Sequence, residues 1–322
     1  MVLTLIVTTI SGIACSRWLI VWILLEANTL AMCFLVSHES KTRIKREKAT
    51  MTYFIVQILA SILILLASST EQNMLSSTLI IGGILAKIGV WPAHLWYIKI
   101  INLLQIKQNS LLILITWQKI LPAFLAIRIR KNIERETPLI IVALVSLVTP
   151  LTILKSNLTT KRIIALSSLN NNAWLVIAIS LSTKSFTAFL ALYSSTLIIL
   201  LKTINWLTKK SERTGKRFWY SIVIFGNLGG LPPLTIFWIK VIILKTLMES
   251  NTRTEICGIL ILSACIILYH YLWTVTNERT ASPVKRQNQA ILNKKERKTY
   301  IIIILPISFV RAYLTIIILG LT

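Results

Sequence analysis

The sequence predicts an all-α polytopic membrane protein of about 11 transmembrane helices: two inverted five-helix repeats, each with a broken fourth helix, plus a C-terminal helix. Three observations predict it. Apolar runs of bilayer-spanning length recur along the whole chain. Basic residues collect in alternate connections between them. Two of the longest runs are interrupted by glycine and proline at corresponding places.

Composition sets the class first. Charged residues make up 14% of the 322 residues, whereas a soluble domain carries about 25%. A formal charge of +24 would suit a nucleic-acid binder, but the lysines and arginines lie between apolar runs rather than on one folded face, so they read as loop charges that fix topology. Cys15, Cys33, Cys257 and Cys265 all fall in apolar runs and form no CxxC pair, which indicates neither a disulfide framework nor a metal site. The N-terminus has no basic region followed by a small-residue cleavage site. That pattern predicts no removable signal and synthesis next to the destination membrane.

With about 20 apolar residues needed per span, the segments lie near 2–15, 18–37, 51–69, 74–100, 109–128, 138–154, 163–181, 185–206, 219–248, 255–275 and 300–320. The first is short for a crossing. The fourth and ninth are too long to be single straight helices. Connections after even-numbered segments (41–48, 99–107, 155–162, 209–217 and 279–298) hold about 22 basic residues, against about 7 on the other side. The richer side is the side of synthesis, which places the N-terminus inside and the C-terminus outside. Without the last segment, the others divide into residues 1–130 and 138–275, with 300–320 as the terminal helix. Five helices per group force the second group to run upside down. The fourth helix of the first group breaks at Pro92. That of the second carries Gly226, Gly229, Gly230, Pro232 and Pro233. Paired broken helices of this kind point to a transport site.

Few ionisable residues remain at membrane depth. Glu26 lies near the middle of WLIVWILLEANTLAMCFLV. Lys87 precedes Pro92 and His94 in IGGILAKIGVWPAHLW, Lys119 precedes Pro122 in LLILITWQKILPAFLAI, and Lys240 follows the second break. A lysine within a turn of a helix end can snorkel to the interface, as expected for Lys202 and Lys245. Lys87 and Lys119 are central, and an intramembrane charge there marks an ion or proton path. Burial disfavours an ammonium ion and a nearby carboxylate restores it, so a lysine held between the two can change protonation when its partner moves. His94 is either a relay among these carriers or an interface histidine bonded to a loop carbonyl. His38 reads as solvated and His270 as an interface residue. Trp18, Trp96, Trp206, Trp219 and Trp273 fall at segment ends and read as belt anchors. Neither a GxGxxG nor a GxxxxGK[ST] loop is present, and no Cys or His cluster has metal-ligand spacing. The chain has the parts for moving protons, not electrons or phosphates.

The strings WILLEANTLAM, YFIVQILAS, AKIGVWPAHLW, LITWQKILP and GGLPPLTIFWIK closely resemble, in order and spacing, the chain 2 family of mitochondrial NADH–ubiquinone oxidoreductase. That family is the smallest of the three antiporter-like subunits of respiratory complex I. The resemblance covers about residues 18 to 245, and TWQK with GGLPPLT is its most specific part. It implies that Glu26 pairs with Lys87, that Lys119 is the central proton-carrying lysine, and that Lys240 serves the exit side. It further implies a mitochondrial inner-membrane protein with its N-terminus in the matrix, beside other membrane-arm and antiporter-like subunits and lipid. NADH, FMN, iron–sulfur clusters and ubiquinone would be handled elsewhere in the complex, and no cofactor or metal bound by this chain. One departure concerns Ser167-Ser168-Leu169-Asn170-Asn171-Asn172-Ala173-Trp174: Asn171 stands where the family usually has histidine. Asparagine can hold a water but cannot carry a proton. Trp91 and Ala93 also differ from the usual residues. A free-standing cation/proton antiporter and a non-pumping membrane scaffold share most of these features and are the competing expectations.

Overall fold

The computed structural model describes residues 1–39, 43–69, 74–104, 109–130, 137–153, 160–209, 225–232, 234–249 and 254–280. The described residues are helical with no strand, and form two compact units, Met1–Asn205 and Trp206–Thr322. The expected terminal helix at 300–320 lies outside them, as do most of the basic connections. Five described helices are long and apolar enough to cross a membrane: Trp18–His38, Arg43–Ser68, Ser110–Ile129, Arg162–Leu181 and Glu255–Trp273. Shorter apolar helices accompany them. This is a multi-pass membrane protein.

In the first unit, α1 (Val2–Ala14) is short, as its sequence predicts. The Arg128 guanidinium donates to the Cys15 carbonyl at the end of α1 over 2.7 Å, so α1 ends on a charged donor from another element. Next come α2 (Trp18–Glu39) and α3 (Arg43–Ser69), joined where Trp22 Nε1 donates to the Ser61 carbonyl over 3.0 Å. Helix α4 (Met74–Ile88) packs against α3 at Gly83. A Cβ built there would stand 2.7 Å from Ile64 and 2.9 Å from the Ala60 carbonyl oxygen, so only glycine permits this approach. Small residues at helix crossings are the usual way membrane helices come close.

The fourth apolar run breaks as expected, but three residues before the proline. Helix α4 stops at Ile88 because Gly89 takes φ 81°, a left-handed conformation that glycine adopts at little cost. The Val90 N–H then reaches the Leu85 carbonyl (3.1 Å) and the Gly89 N–H the Ala86 carbonyl (3.2 Å), which is a Schellman cap. A cis Trp91–Pro92 peptide and a short turn follow, and α5 (Leu95–Leu103) resumes. The fifth run is also interrupted. Helix α6 (Asn109–Ile115) ends, a 3₁₀ turn spans Trp117–Lys119, and α7 (Ile120–Arg130) continues. Pro122 accounts for this, since it has no N–H and its ring crowds the carbonyl four residues back, here that of Gln118. The Trp117 indole fixes the turn by donating to Thr9 Oγ1 of α1 over 3.1 Å.

Helix α8 (Thr137–Ile153) then packs on α9 (Thr160–Leu181). Residues 163–180 are all buried, so this stretch of α9 has no lipid face within the unit. That is why a run as polar as Ser167–Asn172 can sit at membrane depth. Helix α10 (Thr183–Lys209) closes the unit.

The second unit repeats the break. A helical turn at 225–229 stops at Gly230, φ 84°, with the Leu231 N–H on the Gly226 carbonyl (2.9 Å) and the Gly230 N–H on that of Asn227 (3.1 Å). Helix α11 (Thr235–Glu249) begins with the Asn227 side-chain oxygen accepting from the Ile236 N–H (3.3 Å), and packs against α12 (Thr254–Thr280). Both broken helices foreseen in the sequence therefore exist, closed by the same cap.

Trp96 is a correction. It is no belt anchor but 7% exposed, and its indole donates to the Ala86 carbonyl over 3.2 Å. The helix break turns it inward, and a buried indole N–H takes up a helix-end acceptor.

Two neighbouring glycines test the α3–α4 contact. Gly83→Ala is expected to destabilise the chain by about 1–3 kcal/mol through overpacking. Gly82→Ala, with nothing within 4 Å of the added Cβ, should be neutral or stabilising by up to about 1 kcal/mol. Thermal unfolding of the detergent-solubilised protein measures both, and an equal effect at the two positions would contradict the packing.

Candidate functional site

The break in α4 leaves helix carbonyls without their usual donors. In a bilayer each of these needs a partner from within the protein. The cap serves Leu85 and Ala86. The Lys87 carbonyl accepts from Gln57 Nε2 of α3 (3.4 Å), and the Ile88 carbonyl from Asn172 Nδ2 of α9 (3.3 Å). Gln57 and Asn172 are 1% exposed. Two buried amides thus stitch the broken helix to its neighbours, and the candidate ionisable residues lie around that stitch.

Lys87 occupies the last turn of α4, with its side chain 1% exposed and Nζ 4.0 Å from Glu26 Oε1 of α2. The expected pair is therefore brought together, at the outer limit of an ion pair. Glu26 Oε2 accepts from Thr29 Oγ1 at 3.3 Å. Lys119, on the 3₁₀ turn and 2% exposed, donates to the Tyr97 hydroxyl (2.9 Å) and to Asn172 Oδ1 (2.6 Å). Ser168 of α9 neighbours the Tyr97 hydroxyl, and its own hydroxyl donates to the Ala165 carbonyl (2.8 Å). Among the described residues no carboxylate pairs with Lys119. The two lysines are held in different ways, one by a charge and one by neutral dipoles.

Asn172 belongs to both arrangements. Its NH₂ group holds the end of the Lys87 helix while its oxygen holds Lys119. Further buried amides lie on α2, α3, the 3₁₀ turn and α9: Asn28, Gln57, Gln118, Asn170 and Asn171 each carry a side-chain oxygen that meets no donor among the described residues. Buried polar atoms of this kind ordinarily bond ordered water.

Lys240 lies in the second unit, 1% exposed on α11, close enough to Cys265 of α12 to interact electrostatically with it. His94 is half-buried at the N-cap of α5, makes no capping bond, and its Nδ1 accepts from no donor among the described residues. His38, Lys202 and Lys245 are exposed, as the sequence predicts, and His270 is half-buried. Tyr97, Asn172 and Gln57 were not among the residues singled out in the sequence. The three consecutive asparagines of a fully buried helix were the available signal for Asn172. Nothing local marks Tyr97, which only the break turns toward Lys119.

Residues 68–267 match the family model for the membrane part of NADH:quinone oxidoreductase and Mrp antiporters. NADH-ubiquinone oxidoreductase chain 2 of Tetraodon nigroviridis is 32% identical over 277 residues, covering 80% of this chain and 78% of the relative. That of Latimeria chalumnae is 31% identical over 301 residues, covering 87% and 85%. The chain belongs to the NADH-ubiquinone oxidoreductase chain 2 family. This is the family named from the broken helices and TWQK. The fold agrees with a chain of respiratory complex I from Thermus thermophilus at a TM-score of 0.69 and 17% identity, covering 80% of this chain and 65% of that one. It also agrees with a chain of the Mrp complex from Dietzia at 0.71 and 12%, covering 84% and 59%. This chain thus spans 65% of the first structural neighbour and 59% of the second, and these likenesses speak to the fold.

Gln57→Leu is expected to destabilise the protein by about 1–3 kcal/mol, because it orphans the buried Lys87 carbonyl. Ser61→Ala, four residues on, removes only a hydroxyl bonded within its own helix, and should stay within about 0.5 kcal/mol of wild type. Unfolding midpoints of the two variants decide the matter; equal midpoints would mean that Gln57 does not hold the break.

Proposed function

We propose that this chain is an antiporter-like core subunit of respiratory complex I, and that it translocates protons along a buried axis of Glu26, Lys87, Lys119 and Lys240. The observation that carries this reading is the stitch at the break in α4. There, one buried amide links the helix of Lys87, paired with Glu26, to Lys119. Buried ammonium groups are costly unless compensated, and a chain that only needed to pack would carry leucine there. The unpartnered amide oxygens on α2, α3, the 3₁₀ turn and α9 suit a file of water through which a proton can hop.

On this reading protons enter and leave through changes in the charge of neighbouring groups. Glu26 moving toward Lys87 favours its ammonium form, and moving away favours release toward Lys119. The titrations are coupled, so the set carries protons as a unit rather than residue by residue. Lys240 serves the corresponding place in the second five-helix repeat, and the shared Schellman cap at Gly89 and Gly230 supports an inverted-repeat layout. His94 is kept as a candidate relay at the entrance to α5. The chain holds no redox group of its own; quinone reduction elsewhere in the complex drives it. It sits in the mitochondrial inner membrane with its N-terminus in the matrix, beside other membrane-arm subunits and lipid.

A second reading, a cation/proton antiporter working outside a redox complex, is favoured by the likeness to the Mrp chain. Purification separates the two. Co-isolation with other complex I subunits supports the first, and an active lone protein supports the second.

Lys119→Ala is expected to lower coupled turnover about tenfold or more, the scale on which a positioned proton carrier acts, with assembly preserved. Proton-to-electron stoichiometry and NADH oxidation rate in membrane vesicles measure it. An unchanged rate and stoichiometry would overturn the pumping role and leave a scaffold.

A further inference from the structure

We infer that Tyr97 is the group through which Lys119 passes its proton, and that Asn172 is the positioning residue that aims Lys119 at it. This rests on the proposed proton-carrying role of Lys119.

The geometry is specific. Lys119 Nζ directs one N–H at the Tyr97 hydroxyl (2.9 Å) and another at Asn172 Oδ1 (2.6 Å). The two partners differ in chemistry. An amide oxygen accepts and has no proton to pass on, so Asn172 can hold the ammonium but ends the wire. A phenolic hydroxyl accepts and donates at once, so it can take a proton on one side while losing one on the other. Tyr97 is fully buried and neighbours Ser168 of α9, whose hydroxyl donates to the Ala165 carbonyl (2.8 Å) and whose oxygen can still accept. The step balances. A proton leaves the Lys119 ammonium for the Tyr97 oxygen, the phenolic proton moves to the Ser168 oxygen, and the serine hydroxyl proton leaves the Ala165 carbonyl and passes to a water. Lys119 ends as a neutral amine, and Tyr97 and Ser168 end unchanged.

Asn172 sets the direction because it is itself fixed. Its NH₂ group is committed to the Ile88 carbonyl at the end of α4, so its oxygen cannot swing away from Lys119 while the break stands. Asn171 and Asn172 flank Ser168 on α9, three and four residues on. Asn171 is 2% exposed with its side-chain oxygen unpartnered among the described residues. It therefore lies beside the wire without continuing it.

The test uses the assembled complex in membrane vesicles, with proton pumping and NADH oxidation expressed per assembled complex. Tyr97→Phe keeps the ring and removes the hydroxyl. It should lower pumping roughly three- to tenfold, less than the full contribution of a positioned proton carrier because water can partly stand in. Placing a proton carrier beside Ser168 on α9, as Tyr97→Phe/Asn171→His, should restore most of it. Packing alone would not give that rescue. Asn172→Asp is nearly isosteric and puts a carboxylate on Lys119, but it gives up the donor to the Ile88 carbonyl, so it is read only in complexes that assemble with wild-type thermal stability. There it should slow turnover by holding the ammonium in place, and it decides the matter only where Tyr97→Phe fails to assemble. Loss in Tyr97→Phe with rescue by histidine supports the inference, as does slowing in Asn172→Asp where Tyr97→Phe does not assemble. Wild-type pumping in Tyr97→Phe, loss without rescue, or, where Tyr97→Phe does not assemble, wild-type turnover in Asn172→Asp overturns it while leaving Lys119 in its role if Lys119→Ala is impaired. Wild-type pumping in Lys119→Ala overturns the underlying reading instead.

Discussion

Much of the first unit follows from one requirement: carbonyls at the end of a helix that stops inside a membrane must find donors within the protein. Gly89 ends α4, and the cap it forms serves only Leu85 and Ala86. The carbonyls of Lys87 and Ile88 are left over, and amides from α3 and α9 reach them. Gln57 and Asn172 are thus buried for a backbone reason before any functional one. Once Asn172 is committed through its nitrogen, its oxygen faces inward and needs a donor, which Lys119 supplies. The break, the amides and the lysine form one chain of obligations.

The same chain explains why α9 can be polar. A helix with a lipid face could not carry Ser167 through Asn172 without exposing amides to hydrocarbon. Within the unit α9 is enclosed from residue 163 to residue 180, so its polar groups need only protein or water as partners. Lys119 reaches this helix because the fifth run is not continuous: the 3₁₀ turn before Pro122 places its side chain between Tyr97 and Asn172. Two interruptions in neighbouring runs therefore converge on one site. Each is costly alone, and together they satisfy each other's polar groups.

The all-helical membrane class, five of the spans and the two breaks were legible in the sequence because hydropathy and Gly/Pro placement are local signals. Glu26, Lys87 and Lys119 were legible because an ionisable residue in an apolar run stands out wherever it points. Partner choice was not. Asn171 drew notice by its position in the run, yet the residue that bonds Lys119 is the next one along, and a step of one on a helix turns a side chain by about 100°. Only packing decides which of three adjacent asparagines meets the lysine. Trp96 misled for a related reason. An aromatic at a segment end reads as an interface anchor, but the break makes that end an interior one. Lys240 was legible as a buried cation, and its surroundings depend on contacts with α12 that no local pattern encodes.

The two breaks share a cap but divide their labour differently. At the first, side chains from other helices donate to the carbonyls that α4 leaves behind. At the second, Asn227 within the break itself accepts from the N–H of Ile236, at the start of the helix that follows. Lys87 lies in the last turn of its half-helix, where the free carbonyls carry partial negative charge and a cation is favoured. Lys240 lies in the second turn of α11, beyond the reach of such an end effect, which falls off within a turn. A cation in that place depends on side chains and water instead of on backbone dipoles. The two lysines therefore stand on opposite sides of their breaks, Lys87 before its cap and Lys240 after its own, and a backbone end effect reaches only the first.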